Sequence, residues 1–228
     1  MRLLASLAHR FIKQEIMATK KDRTGNKASA HIMIGTSYKT CKTSKSREKH
    51  DFYATDPEAV RLLLNDLKLP KTYVIWECAC GMGHLSEQMR KMGYIVYSTD
   101  LINRQYKNMN RTIDFLACDK LPILYTDAII TNPPYKYTNE FIKHSLALLP
   151  RGGVCAMFLN MNQLVGQKRY TEIYATQPPK YVYIFPKRVH CAQNGDFDSR
   201  SGDMINYAWF VWKKGYKGET ILKWLNNI

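Results

Sequence analysis

Nowhere in its 228 residues does the chain hold a run of about 18 apolar residues, so no segment reads as a membrane span. Cysteine is sparse and unpaired in its spacing. The six positions, 41, 78, 80, 118, 155 and 191, form neither a disulfide framework nor a four-ligand zinc pattern. Cys78, Cys80 and Cys155 lie in apolar runs, where a thiol behaves as a small buried hydrophobe. His84, His144 and His190 share no ligand spacing. Reduced thiols, an intracellular compartment and no metal are therefore expected. Internal repeats are absent. The glycine-containing stretch 77–84 lacks the Lys-Ser or Lys-Thr of a phosphate-binding loop, which argues against a nucleoside triphosphate as ligand.

Acidic residues are also in short supply: 19 Asp/Glu stand against 34 Lys/Arg, a formal charge of +15. The imbalance is concentrated at the start, where residues 1–50 hold twelve Lys/Arg against Glu15, Asp22 and Glu48. Such a surface favours polyanions through counterion release, but its sign does not separate DNA from RNA, or either from a merely well-solvated surface. Residues 17–48 are rich in Lys, Ser and Thr without helical or strand periodicity, so residues 1–48 read as a basic, disordered arm ahead of a domain over 49–228. The opening "MRLLASLAHRFIKQEI" lacks a clear signal-peptide core and cleavage site; it reads either as a targeting peptide or as an extension ahead of a second start at Met17.

What the chain does have, from about Asp51 onward, is alternation of short apolar runs with helical patterns. In "YATDPEAVRLLLNDL", Asp56 suits an N-cap, Pro57 the first helical position, and Val60, Leu63, Leu64 and Leu67 one apolar face. Strands are expected at 73–78, 94–100, 112–116, 127–132, 153–160, 181–186 and 206–214. Helices are expected at 84–92 and 139–149, and a weaker one at 165–175. This pattern predicts an α/β fold, a mainly parallel seven-stranded sheet covered on both faces, closed by an antiparallel C-terminal hairpin.

In such a sheet, ligands sit beyond the carboxyl ends of the strands. Four chemically informative segments fall there: Glu77 to Gly83, Asp100, Asp114 and Asn132 to Tyr135. "ECACGMGH" (77–84) places Gly81 and Gly83 where a tight turn would let backbone approach a ligand, although Ser86 replaces the third glycine of a dinucleotide fingerprint. Alone it is equally a strand–helix connector. Asp100 closes the next strand, where a carboxylate can accept both hydroxyls of a ribose or simply cap a helix. An adenosine-containing ligand without phosphates fits, particularly one carrying positive charge near Glu77. "TNPPY" (131–135) follows a strand with paired prolines that stop regular structure and stiffen a corner.

Asn132-Pro133-Pro134-Tyr135, downstream of "ECACGMG", resembles the catalytic motif of S-adenosylmethionine-dependent amino-methyltransferases. "DFYATDP" (51–57) resembles the additional cofactor motif of adenine-N6 DNA methyltransferases, and "DFL" (114–116) the segment that contacts the cofactor adenine. The order of motifs and the lack of a large recognition domain resemble the compact enzymes of phages and prophages, over roughly residues 50–214. The resemblance implies a Rossmann-like class I methyltransferase fold, S-adenosylmethionine as cofactor, double-stranded DNA as partner, and the cytoplasm of a bacterium or phage-infected cell. It leaves the oligomeric state open, with a monomer sufficient. It also implies site residues: Tyr53 and Thr55 at the methionine end, Glu77, Ala79, Cys80, Gly81 and Gly83 in the loop, Asp100 and Leu101 at the ribose, Asp114 and Phe115 at the adenine. Ala79 stands where the family often has an aromatic residue.

The chemistry of the corner agrees with that family. An exocyclic amine is a weak nucleophile because its lone pair is delocalised into the ring. Acceptors at the Asn132 side-chain oxygen and the Pro133 carbonyl would hold its two N–H bonds and draw the nitrogen toward tetrahedral geometry. Pro134 would stiffen the turn, and Tyr135 would stack on the extruded base. Cytosine N4, an RNA base, a protein glutamine amide and a binding module without catalysis remain alternatives. The polar stretch 186–206 carries Lys187, Arg188 and Arg200, suited to phosphate contacts or to a plain surface loop. Phe141 and "YAWFVWKKG" (207–215) read as core.

Overall fold

The computed structural model describes residues 53–122, 126–189, 191–193 and 205–225, with the backbone alone described for Tyr53, Ala192 and Gln193. The basic arm, Arg200, His190 and Cys41 lie outside the described residues. Ten strands are described. β1 (Tyr53–Thr55) and β8 (Cys191–Gln193) form a two-stranded antiparallel pair. The others, β2 (Val74–Glu77), β3 (Ile95–Asp100), β4 (Arg111–Thr112), β5 (Ala128–Thr131), β6 (Val154–Asn160), β7 (Tyr181–Ile184), β9 (Tyr207–Lys213) and β10 (Ile221–Trp224), make one sheet in the order β10-β7-β9-β6-β5-β2-β3-β4. Only β9 runs against its neighbours, β6 and β7.

Three helices cover the sheet. α1 (Pro57–Leu67) starts where the sequence places it: the Asp56 carboxylate accepts the Glu58 N–H at 2.8 Å, and Pro57 occupies a position whose N–H has no helical partner. α1 packs with α2 (His84–Lys91) on one face, over Ile75, Ala128, Ala156, Phe158 and Trp209. α3 (Thr138–Leu148) packs on the other, where Phe141 and Ile142 meet Trp76, Ile129, Met157 and Phe210. Strand alternation sorts these sets: in β6 and β9 successive residues belong to opposite clusters, and both strands are buried on both faces. Burial of each large side chain contributes roughly 1.5–3 kcal/mol. Indole N–H groups inside this core are satisfied, Trp76 by Thr99 Oγ1 and Trp209 by the Ala59 carbonyl, each at 2.9 Å.

Four expectations change. The sheet has eight strands rather than seven, because β10 adds in parallel to the β7 edge. The strand expected at 112–116 ends at Thr112, since the Asp114 side chain accepts the Leu116 N–H and bends the chain into a 3-10 turn, Phe115–Ala117. The helix expected at 165–175 is one α turn, Gln167–Arg169, widening into a π turn, Tyr170–Tyr174. The stretch 186–206 contains a strand, β8, paired with β1.

Candidate active site

β2, β3 and β5 end side by side, and the predicted site segments leave the sheet there. The glycine loop after β2 is fastened to β3: the Cys80 N–H donates to the Thr99 carbonyl at 3.0 Å, and the Gly81 N–H to Asp100 Oδ2 at 2.8 Å. Asp100 Oδ1 accepts the Ile102 N–H at 2.9 Å. Each carboxylate oxygen keeps a second lone-pair direction, so this anchor can also receive hydroxyls. Gly81 sits at φ +55° and Gly83 at φ +84°, both in the left-handed region that favours glycine. A side chain on Gly83 would strike the Tyr106 ring at 2.3 Å.

Glu77 closes β2. Its carboxyl is buried, accepts the Ser86 hydroxyl, and lies beside a Ser86–Ser98 hydroxyl contact of 2.6 Å. Desolvation pushes its pKa up to about 8, outweighing the lowering by the Ser86 hydrogen bond. Its hydrogen bond to Ser86 ties β2 to α2. The Phe115 ring is buried against Trp76 at 5.1 Å and Phe141 at 4.7 Å. Asp114 is exposed and caps its own turn. Ala79 is half-buried and Cys80 buried, its thiol pKa raised by desolvation.

The proline corner is the best-built part. Pro133 is buried, the Pro134 carbonyl accepts the Tyr137 N–H at 2.9 Å, and the Tyr135 carbonyl accepts the Thr138 hydroxyl at 3.0 Å at the start of α3. Asn132 Nδ2 donates to Thr55 Oγ1 at 2.8 Å across 77 residues of sequence. The half-buried Tyr135 ring stacks on Tyr207 at 6.2 Å and 23°, and Tyr207 on Phe158 at 5.0 Å and 20°. Burial holds the Tyr135 phenol well above its ordinary pKa. Thus β1, β5 and β9 converge on one carboxamide and one aromatic stack. Tyr207 had no signal in the sequence beyond strand alternation.

Two apolar side chains border the Asp100 anchor: Met82, next to Gly81, and Leu101, next to Asp100, are 45% and 60% exposed. Close backbone, a carboxylate and exposed apolar surface are the donor set an adenosine-bearing ligand needs. Lys187 and Arg188 are exposed between β7 and β8. No group of three potential metal ligands occurs among the described residues, and no described helix is long and apolar enough to cross a membrane.

No family model matches the chain, and no curated protein matches it in sequence. Solved structures do match. The M protein of the type I restriction enzyme EcoKI aligns with a TM-score of 0.55 and 15% identity, over 74% of this chain and 45% of that one. The methyltransferase subunit of a type I restriction-modification system from Streptococcus thermophilus gives 0.54 and 14%, over 75% and 47%. A Listeria monocytogenes protein described as a class I S-adenosylmethionine-dependent methyltransferase gives 0.52 and 14%, over 73% and 62%. The chain spans less than two thirds of each. The fold is that of the class I methyltransferases.

Proposed function

We propose that the chain is a methyltransferase that uses S-adenosylmethionine to methylate the exocyclic N6 amine of adenine in double-stranded DNA. The observation that carries this reading is the Thr55–Asn132 hydrogen bond, which joins the two motif segments at the carboxyl edge of the sheet, where β2 and β5 end as neighbours. The cofactor would lie over Gly81 and Gly83, with its ribose on Asp100 beside Leu101 and its adenine amine on Asp114. When bound, it supplies an electrophilic methyl group on a sulfonium. Asn132 Oδ1 and the Pro133 carbonyl would hold the two hydrogens of the target amine, orienting the nitrogen lone pair for in-line attack. Pro133 and Pro134 fix that corner without a helical or sheet ladder. The base would stack on the face of Tyr135 turned away from Tyr207, since a base inside a duplex is out of reach. Catalysis on this scheme is alignment and electrostatics, with the reacting atoms about 3–3.5 Å apart before transfer. The fold is shared with DNA-modifying enzymes, and the sequence motifs favour a nucleobase amine.

The test is Asn132→Ala, assayed for labelled methyl transfer to DNA and, separately, for cofactor affinity. Transfer is expected to fall by about 100-fold or more, the scale of losing one preorganised polar group at a reacting centre, with cofactor affinity within about threefold. Loss of both together would assign Asn132 a structural role and overturn the reading.

A further inference from the structure

The resemblance puts Thr55 at the methionine end of the cofactor, and Thr55 also directly precedes the Asp56 cap of α1. The structure gives the capping to Asp56, whose carboxylate takes the Glu58 N–H. Thr55 is left buried, 3% exposed, with its hydroxyl on the Asn132 amide nitrogen. Its position is held by the β1–β8 pair, in which Thr55 sits opposite Cys191, itself buried.

A primary amide has two chemically different ends, and a rotation of 180° about its last side-chain bond exchanges them. Only the oxygen end accepts hydrogen bonds from an amine. A hydroxyl can accept from Nδ2 or, rotated, donate to Oδ1; here Thr55 Oγ1 accepts from Nδ2, the orientation that turns Oδ1 away from Thr55.

We propose that Thr55 is a positioning residue for methyl transfer: by accepting the Asn132 Nδ2–H it fixes the carboxamide with Oδ1 directed at the target amine. This rests on the methyltransferase reading above. It also gives the stretch after β7 a part in catalysis, because β8 is what braces Thr55 against Asn132.

Thr55→Val keeps the β-branched shape and removes the hydroxyl; Thr55→Ser keeps the hydroxyl. Two readouts separate this idea from the broader one. The first needs no substrate: the Asn132 side-chain amide resonances, identified by their loss in Asn132→Ala, are expected to exchange slowly with solvent in the native protein and in Thr55→Ser. They are expected to exchange at least about tenfold faster in Thr55→Val. Equal exchange in all three would overturn the proposal even if the enzyme methylates DNA. The second is kinetic. Thr55→Val is expected to lower kcat about 10–100-fold with cofactor affinity within about threefold, and Thr55→Ser to restore kcat to within about fivefold. A parallel loss of cofactor affinity would make Thr55 a cofactor contact instead. A Thr55→Ser variant as slow as Thr55→Val would reduce its role to packing. If the native protein transfers no methyl to DNA, the methyltransferase reading fails, and the exchange measurement still decides whether Thr55 orients the amide.

Discussion

Glu77 shows how a single buried carboxyl shapes behaviour. Its pKa of about 8 in the fold lies above the ordinary 4.5, so between those values the folded state holds a proton that the unfolded state has released. Stability from this group is therefore greatest below about pH 4.5 and declines as pH rises toward 8, by up to about 1.4 kcal/mol per pH unit. Glu77→Gln preserves the shape and removes the titration. Its stability, followed by urea unfolding from pH 5 to 8.5, should gain on the native protein as pH rises; parallel curves would mean the carboxyl is solvated. Gly83 makes a second case. A methyl group there meets the Tyr106 ring at 2.3 Å on a backbone of φ +84°, and Tyr106 is pinned by hydrogen bonds with Glu87 and Arg90. Gly83→Ala should cost about 1–3 kcal/mol and lower Tm by roughly 3–8 °C. An unchanged Tm would show that the ring yields freely.

Elements differ in how much of themselves they announce. The start of α1 could be placed to the residue because its cap, its proline and its apolar face agree locally. Asp56→Ala should cost α1 about 1 kcal/mol in thermal or urea unfolding; no loss would mean the Asp56–Glu58 contact is not the cap it resembles. β2, β3, β5, β6, β7 and β9 were legible for a related reason: strands buried on both faces are dense apolar runs. β10 was not, since Ile221, Leu222 and Trp224 are 44%, 44% and 60% exposed at an edge and only four residues long. β1 and β8 were hidden because each is three residues and has meaning only through the other, more than 130 positions away. The site follows the same rule. Asn132, Pro133, Pro134 and Tyr135 stand together in sequence, whereas the Thr55 hydroxyl, the Tyr207 ring and the burial of Glu77 and Phe115 are products of tertiary packing. Asp100, expected at a ribose, carries a further duty of fastening the glycine loop that no spacing rule reveals.

At the scale of the molecule, charge is the dominant fact. A net +15 concentrated toward the N-terminus should make duplex DNA binding strongly salt-dependent. Neutralising four or more phosphates corresponds to a slope of log affinity against log salt of about −4 or steeper. A slope near zero would remove the electrostatic case for a polyanion partner. The fold itself serves many acceptors, so identity of the substrate rests on the corner at Asn132 rather than on architecture. The most direct measurement is to incubate the protein with unmethylated duplex DNA and methyl-labelled S-adenosylmethionine, digest to nucleosides and separate them. Label in N6-methyladenine, absent with Asn132→Ala, is the predicted result. Label in N4-methylcytosine, label with RNA alone, or no transfer would contradict the account.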